Sequence, residues 1–166
     1  MTNPLRLAPR LMKSAGGSVP LLSWALYDFA NTIFAMNVLT LYFALWVTVD
    51  NGADDIVYSI AFSASMLAVA VVSPVLGATS DRYGRRIPFL ILFTVICVAF
   101  TAPIGRLGGL PVALLFFAIA NSAYQCGSVY YDSLLSTVSN ESNRGRISGI
   151  GVALGYVGTI FGILMV

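Results

Sequence analysis

Residues 77–86 read GATSDRYGRR. Four charges, Asp81, Arg82, Arg85 and Arg86, stand here between two long apolar runs. A charged side chain at the centre of a bilayer costs about 2.5–3.5 kcal/mol on insertion scales. Four of them within six residues belong where water reaches them. The stretch therefore reads as a loop at a membrane surface, and the apolar runs on either side as the helices it joins.

Composition agrees. Of the 166 residues, 58% are hydrophobic and 10% charged, where a soluble domain carries about 25% charge. Five apolar runs follow one another, near 21–49, 56–79, 88–105, 110–138 and 147–166. About 20 residues of helix cross the hydrocarbon, so each can span, the third with little to spare. The expectation is an all-α membrane protein, with a tail over 1–20 and a bundle of five transmembrane helices over 21–166. Pro20, Pro88 and Pro111 sit at helix entrances, where a missing N–H costs nothing. Pro74 falls inside the second run and predicts a kink there.

The basic residues alternate from side to side. Eight of the nine lie on the tail (Arg6, Arg10, Lys13), the second loop (Arg82, Arg85, Arg86) and the fourth loop (Arg144, Arg146). The first loop carries Asp50, Asp54 and Asp55, and the third carries Arg106. The positive-inside rule then places the N-terminus and the SDRYGRR loop in the cytoplasm of a multi-pass protein of the cell membrane. Five spans leave the C-terminus of this chain on the outer side. The Asn140-Glu141-Ser142 sequon is cytoplasmic on this reading and carries no glycan. The sequence stops at Met165-Val166 without a polar flank, which reads as a cut rather than a finish.

Several functions are excluded. There is no histidine, hence no His-based triad and no HExxH zinc site. Cys97 and Cys126 lie in apolar runs and read as small hydrophobes. No nucleophile–base pair, metal set or phosphate loop is visible, so no enzyme, metal or cofactor is expected. No basic tract with interleaved aromatics points to nucleic acid. The first twenty residues hold three cations but no apolar core, so they are not a signal peptide.

Some polar residues lie within the spans. Asp28 is in the first and Asp132 in the fourth, each roughly 10 Å from the cytoplasmic end at 1.5 Å per residue. At 100° per residue, Asn121, Gln125, Ser128, Asp132 and Ser136 fall within roughly 60°. Trp24, Asp28, Asn31, Thr32 and Ala35 share a face of the first span, and Asn37 points away. Such stripes face other helices or a water-filled cavity. For the carboxylates, interhelical hydrogen bonding with snorkelling toward Arg144 or Arg146 competes with a proton or substrate site. The length of the fourth-span stripe favours a cavity wall there. On the fifth span, Gly151, Gly155, Gly158 and Gly162 share one face as two stacked GxxxG pairs, which lets another backbone approach closely. That neighbour is either another helix of the same bundle or a partner.

With these residues in view, Gly77-x-x-x-Asp81-Arg82-x-Gly84-Arg85-Arg86 resembles the signature loop between the second and third helices of the major facilitator superfamily. SWALYDFANTIF and RGRISGIGVALGYVG resemble the branch that holds the autophagy-related vacuolar amino-acid effluxers and their bacterial relatives, often called the unknown major facilitator family. The resemblance covers nearly the whole chain past residue 20. It implies the N-terminal six-helix half of a two-half fold, minus its last helix. It implies secondary transport of a small polar solute, amino acids first, by alternating access. It makes Asp81 a latch against a C-terminal half, Arg82, Arg85 and Arg86 its support, and Gly77 and Gly84 the sites of close approach and turn. The fourth span carries Asn121 and no basic residue, where proton-coupled members often carry an Arg. The alternatives are an accessory or half-transporter subunit completed by a partner, and a truncated remnant without activity.

Overall fold

The computed structural model describes residues 18–139 and 141–164, with the side chains of 18, 19, 80, 81 and 83 left aside. The expected tail, the sequon's Asn140 and the Met165-Val166 end lie outside the described residues. Among those residues every regular element is helical. Four helices are long and apolar enough to cross a membrane: Pro20–Asp50, Asp55–Thr79, Gly109–Val138 and Arg144–Leu164.

The third apolar run forms a shorter helix, Arg86–Thr101, of 16 residues. At 1.5 Å per residue that is about 24 Å, less than the roughly 30 Å of hydrocarbon. The helix stops where it does because Pro103 has no N–H to offer Ala99. Residues 102–106 are turns, and Gly105 has φ of +76°. Pro20, Pro88 and Pro111 each fall in a first helical turn, among the N–H positions that lack an acceptor in any helix. The second helix, Asp55–Tyr83, continues on both sides of Pro74.

The first span is not uniform. It is α-helical over Ser18–Phe34, π-helical over Ala35–Leu41, α-helical over Tyr42–Leu45, and π-helical again over Trp46–Asp50. In the first π segment the Tyr42 N–H donates to the Asn37 carbonyl, five residues back. The Tyr58 hydroxyl, from the second helix, donates to the Leu39 carbonyl inside the same segment.

The chain forms two compact units, residues up to Ile33 together with Leu135 onward, and Phe34–Leu134. In the first unit the glycine face of the fifth helix lies against the first. Gly151, Gly155, Gly158 and Gly162 are all buried. A Cβ placed on Gly151 would sit 2.6 Å from the Trp24 ring, and one on Gly158 only 2.5 Å from the Phe29 carbonyl oxygen. Phe29 and Phe161 add a ring contact at 5.8 Å. Contact numbers rise together along both helices, so they run parallel.

In the second unit the contacts are made by side chains. Phe43, Val47, Ala113 and Phe117 form a buried cluster. Phe43 and Phe117 stack at 4.4 Å, and Tyr58 closes on Phe117 at 5.3 Å. Further along, fully buried Tyr130 is stacked on by Phe89 at 5.2 Å and Phe93 at 5.9 Å. Its hydroxyl meets that of Thr79 at 3.0 Å. The pairs Tyr58–Phe117, Ser65–Asn121 and Thr79–Tyr130 again rise together, so the second and fourth helices are parallel. Helices an even number apart in a chain of antiparallel spans must run the same way, and both units obey this.

Candidate functional site

The charged loop is short and closely determined. The second helix ends at Tyr83, and the third begins at Arg86. Gly84 has φ of +61°. That left-handed conformation is the common end of a helix and suits glycine, which has no Cβ to clash. Arg85 follows with φ of −103° and ψ of 84°, and turns the chain into the next helix. Two residues thus reverse the direction of the chain. Arg82 and Arg85 are exposed, and Arg86 is half-buried.

Arg86 reaches out of the loop. Its guanidinium donates to the Ser133 carbonyl, near the C-terminal end of the fourth helix. A cation there is favoured by the partial negative charge of the helix end. The bond ties the loop to the helix that carries Asp132. Asp81 lies on the last turn of the second helix, and its side chain is outside the described residues. At Gly77 an added Cβ would meet nothing within 4 Å among the described residues.

The polar stripe of the fourth helix divides. Asn121 is fully buried and donates from Nδ2 to Ser65 Oγ at 2.6 Å. Ser65, itself 2% exposed, passes its own hydroxyl to the Phe62 carbonyl at 2.6 Å. Gln125 and Ser128 are half-buried, with Ser128 Oγ on the Tyr124 carbonyl at 3.1 Å. Asp132 is exposed. One 60° stripe is thus shared between a helix contact at one end and an open surface at the other.

Asp28, Asn31 and Thr32 are half-buried on the first span. Thr32 turns its hydroxyl back to the Asp28 carbonyl at 2.8 Å. A Cβ on Gly155 would stand 3.0 Å from both Asp28 Oδ2 and Thr32 Oγ1. The carboxylate of Asp28 therefore lies over the glycine face of the fifth helix. Two predicted groups, the polar face of the first span and the glycine face of the fifth, meet each other.

Three features were missed in the sequence. Ser65 looks like any small residue in an apolar run, and only its buried partner reveals it. Tyr58 gives no local signal for a bond to a carbonyl on another helix. The third is a cleft beside Asn37, Tyr42, Trp46 and Thr101, opened by π-winding that helical-wheel counting does not anticipate.

Comparison with known proteins adds to this geometry. The family model of the Major Facilitator Superfamily matches residues 25–166. An uncharacterised protein of Aquifex aeolicus is 35% identical over 144 residues, which cover 86% of this chain and 37% of that protein. An uncharacterised MFS-type transporter of Bacillus subtilis, YxiO, is 30% identical over 151 residues, 82% of this chain and 34% of that one. The chain thus spans about a third of the length of these relatives. No solved structure matches.

Proposed function

The chain belongs to the Major Facilitator Superfamily, and from that membership we propose that it is the N-terminal part of a secondary transporter working by alternating access. The observation that carries the reading furthest is the two-residue link at Gly84-Arg85, with Arg86 bonded to the fourth helix. A gate must transmit movement between helices. A stiff link anchored on a neighbouring helix does that, where a slack loop would absorb the motion. On this reading Asp81 latches against a C-terminal half, on the cytoplasmic side of the cell membrane, with the N-terminus cytoplasmic and the fifth span running toward the outer side.

The first and fourth spans line the solute path. Asp28 and Asp132 bind a proton or the amine of a small polar solute, amino acids first. A carboxylate within a span is expensive and persists where it has work to do. Gln125, Ser128, Asn31 and Thr32 supply neutral hydrogen-bonding groups to the same path. The glycine face is covered by the first span, so it does not call for a partner subunit.

The test is uptake of labelled neutral amino acids by the whole protein in liposomes, with and without a pH gradient. Asp28→Asn and Asp132→Asn are expected to cut uptake by at least about tenfold, equivalent to 1.4 kcal/mol, or to remove its pH dependence. Uptake at the normal rate and pH profile in both variants would sink the carboxylate assignment. A polar solute other than an amino acid, carried by the unaltered protein, would change the substrate and leave the gate intact.

A further inference from the structure

A cleft of about 310 Å³ opens in the second unit, lined among others by Asn37, Tyr42, Phe43, Trp46, Thr101 and Gly105. Its walls follow from the backbone. The π-helical segment Ala35–Leu41 carries more residues per turn than an α-helix and widens the first span there. Across from it, the third helix has ended at Thr101, and the turn through Gly105 comes back along the indole of Trp46. A Cβ on Gly105 would lie 3.8 Å from that ring.

The walls are set before any ligand arrives. Phe43 is held from behind by Phe117 at 4.4 Å, and Trp46 lies along Phe43 at 5.8 Å with planes 19° apart. The Thr101 hydroxyl is committed to the Cys97 carbonyl at 2.7 Å. None of the residues lining the cleft is charged. Among the polar atoms of this lining, the side-chain oxygen of Asn37 is buried without a hydrogen-bond partner. A buried acceptor without a donor is costly, and native structures rarely leave one without a reason.

We propose that this cleft is a binding site for a small, uncharged aromatic molecule that carries an O–H or N–H donor. Each element of the description has a source on the wall. Near-parallel rings favour a flat partner in offset stacking. The absence of charge selects a neutral one. The Asn37 oxygen asks for a donor, which a small rotation of its amide brings within reach. The volume lies at the low end of the range for small-molecule sites, so the occupant is one or two rings. An acyl chain fits this wall less well, because it is neither flat nor a donor. The site is independent of the transport reading and of Asp28 and Asp132.

The probe is 4-bromophenol, whose phenol stays neutral near pH 7, as that of tyrosine does, and whose bromine quenches tryptophan on contact. It is titrated into the protein in lipid nanodiscs while tryptophan fluorescence is read. Saturable quenching is expected, and it disappears in Trp46→Phe, which keeps an aromatic wall but removes the reporter. Bromobenzene, without the donor, binds about tenfold more weakly, the loss of one hydrogen bond to a buried carbonyl. Asn37→Leu weakens 4-bromophenol by a similar factor. The bromobenzene comparison needs no variant, so it decides the matter even if Asn37→Leu fails to fold. Linear quenching that persists in Trp46→Phe would mean partition into lipid and overturn the proposal. So would equal affinity for the two probes. Strong quenching by lipid brominated on its acyl chain, unrelieved by 4-bromophenol, would assign the cleft to lipid instead.

Discussion

Residues 18–33 and 34–50 belong to one apolar span, yet they pack by different means. The earlier stretch meets a helix that has given up its side chains. Trp24, Asp28 and Phe29 lie on glycines, and the distance between backbones is set by the absence of Cβ atoms. The later stretch meets rings with rings, Phe43 on Phe117 and on Tyr58. In lipid, burial of apolar surface gives little drive between helices, because the tails are as apolar as leucine. What remains is contact. Two arrangements maximise it: backbones brought close over small residues, or large flat groups interleaved. The first tolerates no added atom, and the second tolerates no lost one. The two regions should therefore fail in opposite ways.

The largest effect is expected from loss of volume in the ring cluster. Phe117→Ala removes a fully buried ring that touches both Phe43 and Tyr58. A cost of about 3–4 kcal/mol is expected, read from unfolding in mixed dodecyl maltoside and SDS micelles. A cost below about 1 kcal/mol would mean that lipid or detergent fills the gap, and that packing in this region is not specific.

Gly158→Ala comes next and acts by addition. The new methyl would stand 2.5 Å from the Phe29 carbonyl oxygen, a backbone atom that cannot swing away. Overpacking of this kind costs about 1–3 kcal/mol. Gly151→Ala meets the Trp24 ring at 2.6 Å, and a side chain can turn, so its cost should be smaller. Equal stability for Gly158→Ala and the parent, in the same micelles, would break the contrast between the two regions.

Much of this arrangement was legible in the chain. The charged loop marks a turn, the runs mark helices, and the spacing of Gly151, Gly155, Gly158 and Gly162 marks a close-approach face. Which helix occupies that face was not legible, because periodicity identifies a face but not its neighbour. Asn121 shows a second limit. A wheel groups it with Asp132, yet a helix wedged among others presents one stripe to more than one environment, and Asn121 turns to Ser65 while Asp132 is exposed. The third limit is the winding itself. Counting 100° per residue holds to Phe34 and loses phase in the π segment that follows. Asn37, placed off the polar face by that count, instead lines a cleft.

The Asn121–Ser65 pair sharpens the comparison, because it joins two buried polar side chains of different helices in a region held largely by rings. Interhelical hydrogen bonds in membranes average about 0.6 kcal/mol, with an upper end near 1.7. Ser65→Ala leaves the Asn121 amide without its acceptor, in addition to an Oδ1 that already lacks a partner. A double-mutant cycle with Asn121→Leu should give a coupling of about 1 kcal/mol. The single change Asn121→Leu should cost less than Ser65→Ala, since it removes both unmet atoms at once. The reverse order would mean that the shape of asparagine, not its hydrogen bond, is what the site requires.

The smallest expected effect is the most discriminating for the glycine face. Gly149 lies on the same helix as Gly151, is exposed, and an added Cβ would meet nothing within 4 Å. Gly149→Ala should therefore leave stability unchanged or raise it by up to about 1 kcal/mol, the difference in helix propensity between the two residues. Gly149 and Gly158 are equal in composition and helical context and differ in what faces them. If both changes destabilise alike, glycine acts here through backbone flexibility along the whole helix. If only Gly158→Ala does, it acts through distance to the first span, and the two parts of that span are held by absence of atoms in one and by their presence in the other.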